Sequence, residues 1–467
     1  MTQSVDIAVW QLALLVVFAA VTFASHFLFP SVRWFFRKRA ERLVAQMNTR
    51  LRRPVEPFKL ARRHDTIQRL IYDPEVVEAV VDYAREHKVP ENVAFETAHD
   101  YAREIVPSFS ATAYFTIGTR LARWLSRSLY RIRLGSFDRK GLDDIDPDAA
   151  VIFVMNHRSN MDYVLVTYLV SQTSALAYAV GEWARVWPLS SIIRAMGAYF
   201  IRRKNRSALY RRVLARYVQM AVRGGVTQAI FPEGGLSLDG RIAPPKLGLL
   251  NYIVEGWEPD GRDVIFVPVA LNYDHVLEDK FLIAADKKGQ RRFRPPLGTV
   301  LSGLGRHLWD RLTRRFKTFG TASVSFGTPQ SLSNLMGVEG LSTEALADRL
   351  IAEVARNVPV LPVPLVCDVL QDGQARDVDA IETEVSELLN SMQSTAAGLP
   401  RRDAAVLTRE GIALLQKRGL VSAEGGRFAM REGAKDVFAY YANSIQHLVP
   451  RIIAPGDGDV VRDPLSN

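Results

Sequence analysis

Cysteine is nearly absent. Cys367 is the single one in 467 residues, which excludes a disulfide framework and any thiolate-rich zinc site and fits a reducing compartment. Eight histidines are present, but no H-E-x-x-H or C-x-x-C spacing accompanies them, so no metal is expected. A G-x-S-x-G turn that would expose a nucleophilic serine is also missing, so a hydroxyl entering a reaction here comes from outside the chain. No nucleic-acid reader motif and no internal repeat is visible. The last absence is local: from Ile7 to Phe29 there is no Asp, Glu, Lys or Arg.

That charge-free segment reads as a single membrane span. At about 1.5 Å per residue it can cross a hydrocarbon core of roughly 30 Å. It lacks the basic start and short apolar stretch of a cleavable signal peptide. Trp10 and Trp34 flank it, and Arg33, Arg37, Lys38, Arg39, Arg42, Arg50, Arg52 and Arg53 follow, opposed by Glu41. The positive-inside rule then puts the rest of the chain in the cytoplasm, at a cell inner membrane. The basic tract either grips anionic headgroups or serves as the orientation signal alone. The formal net charge of +10 points to a polyanionic partner, and an anionic membrane accounts for it without nucleic acid.

Beyond the span and its basic segment (1–54), residues 55–130 read as a helical domain. Val76, Val77, Val80 and Val81 recur at helical spacing after Asp73-Pro74, and the stretches Ala94–Ile105 and Thr112–Leu129 keep the same period. Between 131 and 335 short apolar runs alternate with helical segments: Ala150–Met155, Ala175–Val180, Gln228–Phe231, Val264–Leu271 and Ser323–Phe326. The pattern predicts an α/β domain on a mixed, largely parallel sheet flanked by helices, with ligands bound at loops beyond strand ends. Residues 276–320 read as a basic surface insertion. A helical C-terminal region with a polar tail covers 336–467.

Four segments of the α/β domain can carry chemistry. The first, Asn156-His157-Arg158-Ser159-Asn160-Met161-Asp162, follows an apolar strand directly. Its five-residue interval lets the Asp162 carboxylate meet one imidazole nitrogen of His157 and leaves the other to take a hydroxyl proton. The alternative is a histidine that caps the next helix while Asp162 pairs with Arg158. The second, Gly197-Ala198-Tyr199-Phe200-Ile201-Arg202-Arg203, ends an apolar run in paired guanidinium forks suited to phosphate. A solvated helix face is the alternative there. The third runs Phe231-Pro232-Glu233-Gly234-Gly235 and on through Arg241 and Lys246, a glycine loop open to a ligand or a plain turn. The fourth, Val267-Pro268-Val269-Ala270-Leu271-Asn272-Tyr273, has a proline that predicts an edge or bulge position, walling an acyl site or forming ordinary core.

In this order and spacing the four segments resemble the four blocks of the glycerolipid acyltransferases with an H-x-x-x-x-D motif. The likeness is to the bacterial membrane-bound glycerol-3-phosphate acyltransferases and the related dihydroxyacetone-phosphate enzymes. It rests on His157–Tyr163, on Gly197–Arg203 with Leu209-Tyr210, and on Tyr440-Tyr441-Ala442-Asn443-Ser444-Ile445-Gln446-His447, and spans roughly residues 70–450. The resemblance implies that His157 is a general base oriented by Asp162. It implies an acyl donor, acyl-CoA or acyl-acyl-carrier protein, and glycerol 3-phosphate as acceptor, giving 1-acylglycerol 3-phosphate with no cofactor. Arg158, Ser159, Arg202, Arg203, Glu233, Gly234, Gly235, Arg241 and Lys246 are then the candidate acceptor-binding residues, and Val267 and Pro268 belong to the acyl-donor pocket. The family's third block continues with arginines where this chain has Leu236 and Leu238. Losing one charge-assisted contact costs about 1.5–3 kcal/mol, so lysophosphatidic acid or another hydroxyl compound is the alternative acceptor. Asn156 also departs from the family's usual residue.

Overall fold

In α2 (Pro74–His87), Pro74 sits where no intrahelical N–H is needed and the Asp73 carboxylate accepts from the Glu75 N–H at 3.1 Å. Val76, Val80 and Ala84 form its buried stripe, and Val77 points outward. The helix before it is α1 (Arg63–Ile71). In α3 (Glu91–Ile105) the small residues Ala94, Ala98 and Ala102 are fully buried at four-residue spacing, so the helix can approach its neighbours closely. The stretch from Thr112 is not one regular helix: a π-turn, Ala113–Gly118, precedes α4 (Thr119–Leu129).

This computed structural model describes residues 48–450 apart from 50, 172, 182–184, 186–188, 203–205 and 290–317. The expected span at 7–29, most of the basic tract, most of the 276–320 insertion and the tail lie outside the described residues. Among the described residues, no helix is long and apolar enough to cross a membrane. From Val55 onward the chain is one compact unit.

Its centre is a mixed eight-stranded sheet with helices on both sides. The strands are β1 (Arg131–Phe137), β2 (Ala150–Met155), β3 (Ala177–Gly181), β4 (Tyr199–Ile201), β5 (Gln228–Ile230), β6 (Val264–Tyr273), β7 (Thr321–Phe326) and β8 (Gln330–Ser331). Their order is β1-β7-β6-β2-β5-β3-β4, with β8 paired to β6. Strands β6, β2, β5, β3 and β4 run parallel, whereas β7 and β8 run against β6. The parallel strands are connected through α5 (Met161–Val170), α6 (Leu189–Ala195), α7 (Ala208–Arg223) and α8 (Gly248–Glu255), as parallel pairing requires. Every residue of β2 is buried, in keeping with a parallel sheet covered on both faces.

Pro268 corrects the expectation of an edge or bulge. It lies inside β6, opposite Val154 of β2. Its carbonyl accepts from the Gly327 N–H at 2.8 Å, on the side where the partner of β6 changes from β7 to β8. N–H and C=O of an extended residue point the same way, so the donor that proline lacks falls at that break.

After α9 (Asp279–Lys287) and β7–β8 the chain continues through α10 (Thr343–Arg356), α11 (Pro362–Leu370), α12 (Val378–Ser391), α13 (Ala404–Lys417) and α14 (Lys435–Gln446). This region is not wholly helical. Arg376–Asp377, Val421–Glu424 and Arg427–Met430 form a small antiparallel sheet, turned at Gly425-Gly426 where both glycines have positive φ. From α14, Asn443 donates to the Asp239 carbonyl at 2.8 Å, and the Tyr441 hydroxyl donates to Asp279 at 2.7 Å. The C-terminal helix is thereby tied to the third segment's loop and to the start of α9.

Candidate active site

The site begins where β2 stops. Asn156 uses its side-chain amide as a substitute peptide, accepting from the Leu271 N–H at 2.8 Å and donating to the Leu271 carbonyl at 3.0 Å. That extra rung holds β2 against β6 and lets the backbone turn away at His157. The loop then enters α5, whose first turn carries Asp162.

Asp162 is fully buried and its two oxygens meet four donors. Oδ2 accepts from His157 Nδ1 at 3.0 Å and from the backbone N–H groups of Arg158 and Ser159 at 2.8 and 3.0 Å. Oδ1 accepts from the Tyr273 hydroxyl at 2.6 Å. Burial first, and the neighbouring Asp162 next, push the Tyr273 phenol well above its ordinary range, so it remains a donor. A carboxylate at a helix start is also favoured by the exposed peptide N–H groups there. The alternative pairing of Asp162 with the Arg158 side chain is not what forms: Asp162 takes only that residue's backbone N–H.

His157 is held on three sides. Its N–H donates to Glu233 Oε1 at 2.7 Å, Phe231 stacks on the imidazole at 4.0 Å between centroids, and Tyr163 meets it edge-on at 5.4 Å. With Nδ1 committed to Asp162, Nε2 is the nitrogen offered to a cavity of about 330 Å³ that His157 lines. Val180, Ile201, Leu249 and Leu350 give this cavity apolar walls, and Arg202, Arg206 and Lys246 give it positive charge. A larger opening of about 800 Å³ lies toward the start of β6, around Phe326–Ser331 and Arg349–Asn357. It contains none of the four segments' polar residues, and its arginines are paired as Arg349–Glu339 and Arg356–Glu353. The chemistry belongs to the smaller cavity.

The third segment returns to His157: the Ser237 N–H donates to the His157 carbonyl at 2.9 Å. Glu233 is a buried strut, its second oxygen accepting from the Ala243 N–H at 2.9 Å. Burial pushes its carboxyl up to about 7, against the pull of these two N–H donors. Gly234 has φ +69°, and a Cβ there would press on the Lys246 side chain. Lys246 Nζ donates to the Glu233 carbonyl at 2.7 Å. Gly234, Gly235, Lys246 and Arg202 line the cavity together with His157.

Other candidates stand elsewhere. Arg158 is buried behind the loop, with Nη1 donating to the Gly240 carbonyl and its guanidinium 4.7 Å from the centre of the Tyr440 ring. Its Nε and Nη2 have no hydrogen-bond partner among the described residues. The Ser159 hydroxyl is spent on Glu278 at 2.8 Å. Arg202 is bound in a fork to Glu104 at 2.6 and 2.9 Å, so much of its charge is already answered. Arg241 is exposed, 3.7 Å from Asp239, and does not line the cavity. Arg203 lies outside the described residues. Val267 and Pro268, expected in the donor pocket, are buried inside β6 and do not line this cavity. Leu236 and Leu238 pack on the core.

Sequence reasoning missed Tyr273, Glu278, Tyr440 and Arg206 as parts of this neighbourhood. Tyr273 closes the fourth segment and Tyr440 opens the C-terminal Tyr-Tyr motif, so both stood within reach of it. Glu278 carried no signal. Among the described residues no group of three or more His, Cys, Asp or Glu is placed to hold a metal.

An acyltransferase family model matches residues 136–272, from the end of β1 to the end of β6. The chain is 27% identical over 436 residues to a glycerol-3-phosphate acyltransferase of Shewanella loihica, covering 85% of this chain and 51% of that protein. With a glycerol-3-phosphate acyltransferase of Pseudoalteromonas atlantica it shares 25% identity over 450 residues, covering 88% and 52%. The chain thus spans about half the length of the curated relatives it matches. A solved 1-acyl-sn-glycerophosphate acyltransferase from Thermotoga maritima gives 22% identity and a TM-score of 0.32, covering 52% of this chain and 76% of that one. The centre of the chain is thus similar to an acyltransferase domain, and most of its length is similar to part of glycerol-3-phosphate acyltransferases.

Proposed function

We propose that this chain, built around an acyltransferase domain, moves an acyl group from acyl-CoA or acyl-acyl-carrier protein to the sn-1 hydroxyl of glycerol 3-phosphate. The observation that carries the reading is the 3.0 Å contact between His157 Nδ1 and Asp162, with the other imidazole nitrogen turned to the cavity. Nε2 takes the proton of the acceptor hydroxyl as its oxygen attacks the thioester carbon. Asp162 steadies the imidazolium that forms. Collapse of the tetrahedral intermediate breaks the carbon–sulfur bond, and the imidazolium returns the proton to the leaving thiolate. The thioester is already activated, so these steps need no cofactor. The charge-free segment 7–29 anchors the chain in the inner membrane in this reading, where the acylated product belongs.

A second acceptor, lysophosphatidic acid or another hydroxyl compound, is favoured by one observation. Leu236 and Leu238 pack on the core, and Arg241, exposed beside Asp239, does not line the cavity. The phosphate would then rely on Lys246, Arg206 and the unspent donors of Arg158.

The test is acyl transfer by the full chain in membranes, with labelled acyl-CoA and a panel of glycerol 3-phosphate, dihydroxyacetone phosphate and lysophosphatidic acid, products separated by mass. Turnover with glycerol 3-phosphate, reduced at least about a thousand-fold in His157→Ala, is the expected result. Turnover only with lysophosphatidic acid selects the second reading. Near-normal turnover by a folded His157→Ala removes both.

A further inference from the structure

We propose that the outward face of α4 and of the π-turn before it lies on the surface of an anionic lipid bilayer. Residues 105–130 contain three arginines, Arg120, Arg123 and Arg127, and no Asp or Glu, whereas Arg131 beyond them is already paired with Glu410 at 2.6 Å. Such an uninterrupted sign is a partner's complement rather than a fold requirement.

The side chains are sorted by face. Tyr114, Ala122, Ser126 and Leu129 are buried, and α4 packs on α5, the helix that carries Asp162. Ile117, Leu121 and Trp124, at spacings of four and three, are 67%, 47% and 40% exposed. Arg120, Arg123 and Arg127 run along one border of that stripe. None of these three has an ion-pair partner among the described residues, and Arg123 lies 5.6 Å over the ring of Tyr168 of α5. Next to the stripe, Gly118 meets the Met196 side chain, one turn from Ile192 of α6, which is 56% exposed.

Large apolar side chains bordered by arginines, with a tryptophan among them, are the composition of a helix lying in a lipid interface. The charge favours lipid over protein: three arginines along one border of an apolar stripe match anionic headgroups above an acyl boundary. An exposed apolar residue elsewhere differs in setting: Val338 is adjacent to Glu339, which already holds Arg349.

The inference does not depend on the reaction proposed above. A tether at residues 7–29 would hold the chain to vesicles of either charge, so the readout must be local to α4. The only native cysteine, Cys367, is buried, and single cysteines at Ile117→Cys, Leu121→Cys and, as a control, Val338→Cys accept an environment-sensitive fluorophore in the full chain. With phosphatidylglycerol-containing vesicles, the labels at 117 and 121 should brighten at least about two-fold, shift to the blue and be quenched by brominated acyl chains. The label at 338 should not respond. With phosphatidylcholine alone the response at 117 and 121 should fall by half or more. Combined Arg120→Glu, Arg123→Glu and Arg127→Glu should abolish it while circular dichroism and the unfolding midpoint stay as in the native chain.

No response at 117 and 121, an equal response at 338, or equal responses with both lipids would overturn the proposal. So would a response that needs only a purified acidic acyl-carrier protein, or that rises with protein concentration in the absence of lipid, since those mark a protein partner or a second copy.

Discussion

At the end of β2, Asp162 spends both oxygens on four donors and His157 is clamped by Glu233, Phe231 and Tyr163. Behind the same loop, buried Arg158 leaves Nε and Nη2 without a partner among the described residues. A buried donor without a partner costs about 1–3 kcal/mol. The first region is therefore complete before any ligand arrives, whereas the second keeps two nitrogens unanswered. A base gains rate from having its geometry fixed in advance. A binding group gains affinity from donors that protein has not already answered, and Arg202, forked to Glu104, shows the opposite case.

The sharpest way to break this contrast is Asp162→Asn. An asparagine can keep an acceptor for only some of the four donors and offers an NH₂ where acceptance is needed. Turnover should fall about a thousand-fold while KM for either substrate moves only a few-fold. A variant that loses KM and keeps kcat would mean that Asp162 holds a binding loop rather than a base.

Glu233 joins the first region to the third segment's loop, one oxygen on the His157 N–H and the other on the Ala243 N–H. Its carboxyl is raised from 4.5 to about 7 in the folded chain, chiefly by burial. The folded state then holds the proton more tightly than the unfolded one. Stability from this group is complete below about pH 4.5 and is lost as pH rises through about 7, by up to about 3 kcal/mol. Glu233→Gln does not ionise, so its stability relative to the native chain should improve from pH 5 to about pH 7 and then level off in urea unfolding of the full chain. Parallel curves would show that the two N–H donors outweigh burial.

The strand, turn and helix that hold His157 and Asp162 were legible because they are local: six buried residues, a polar loop and a carboxylate in the first helical turn. The α/β alternation was legible for the same reason. What could not be read is what distant chain supplies. Asn156 finds Leu271, Asp162 finds Tyr273, and Arg158 finds Gly240 and Tyr440 through tertiary pairing that no spacing encodes. The run Ser323–Phe326 marked β7 but not its reversed direction, and β1 and the two-residue strand Arg376–Asp377 carry too little periodic signal to be placed. Pro268 misled because the rule about prolines in sheets counts neighbours, whereas a neighbour that stops at that residue satisfies it.

Arg158→Met tests the second region at smaller scale. Methionine keeps most of the aliphatic length against Tyr440 and removes the charge with its two unanswered nitrogens. Removing both the cost and the donor should leave the unfolding midpoint nearly unchanged, because the lost bond to Gly240 and the relieved burial of charge oppose each other. Binding has no such offset. If those donors meet the acceptor's phosphate, KM for the phosphorylated acceptor rises about ten-fold, about 1.4 kcal/mol, with kcat falling less and KM for acyl-CoA unmoved. A large loss of stability with an unchanged acceptor KM would instead make Arg158 a structural pin between Gly240 and Tyr440. The two regions would then be alike, each closed upon itself, and the phosphate would have to be met by Lys246 and Arg206 on the cavity wall.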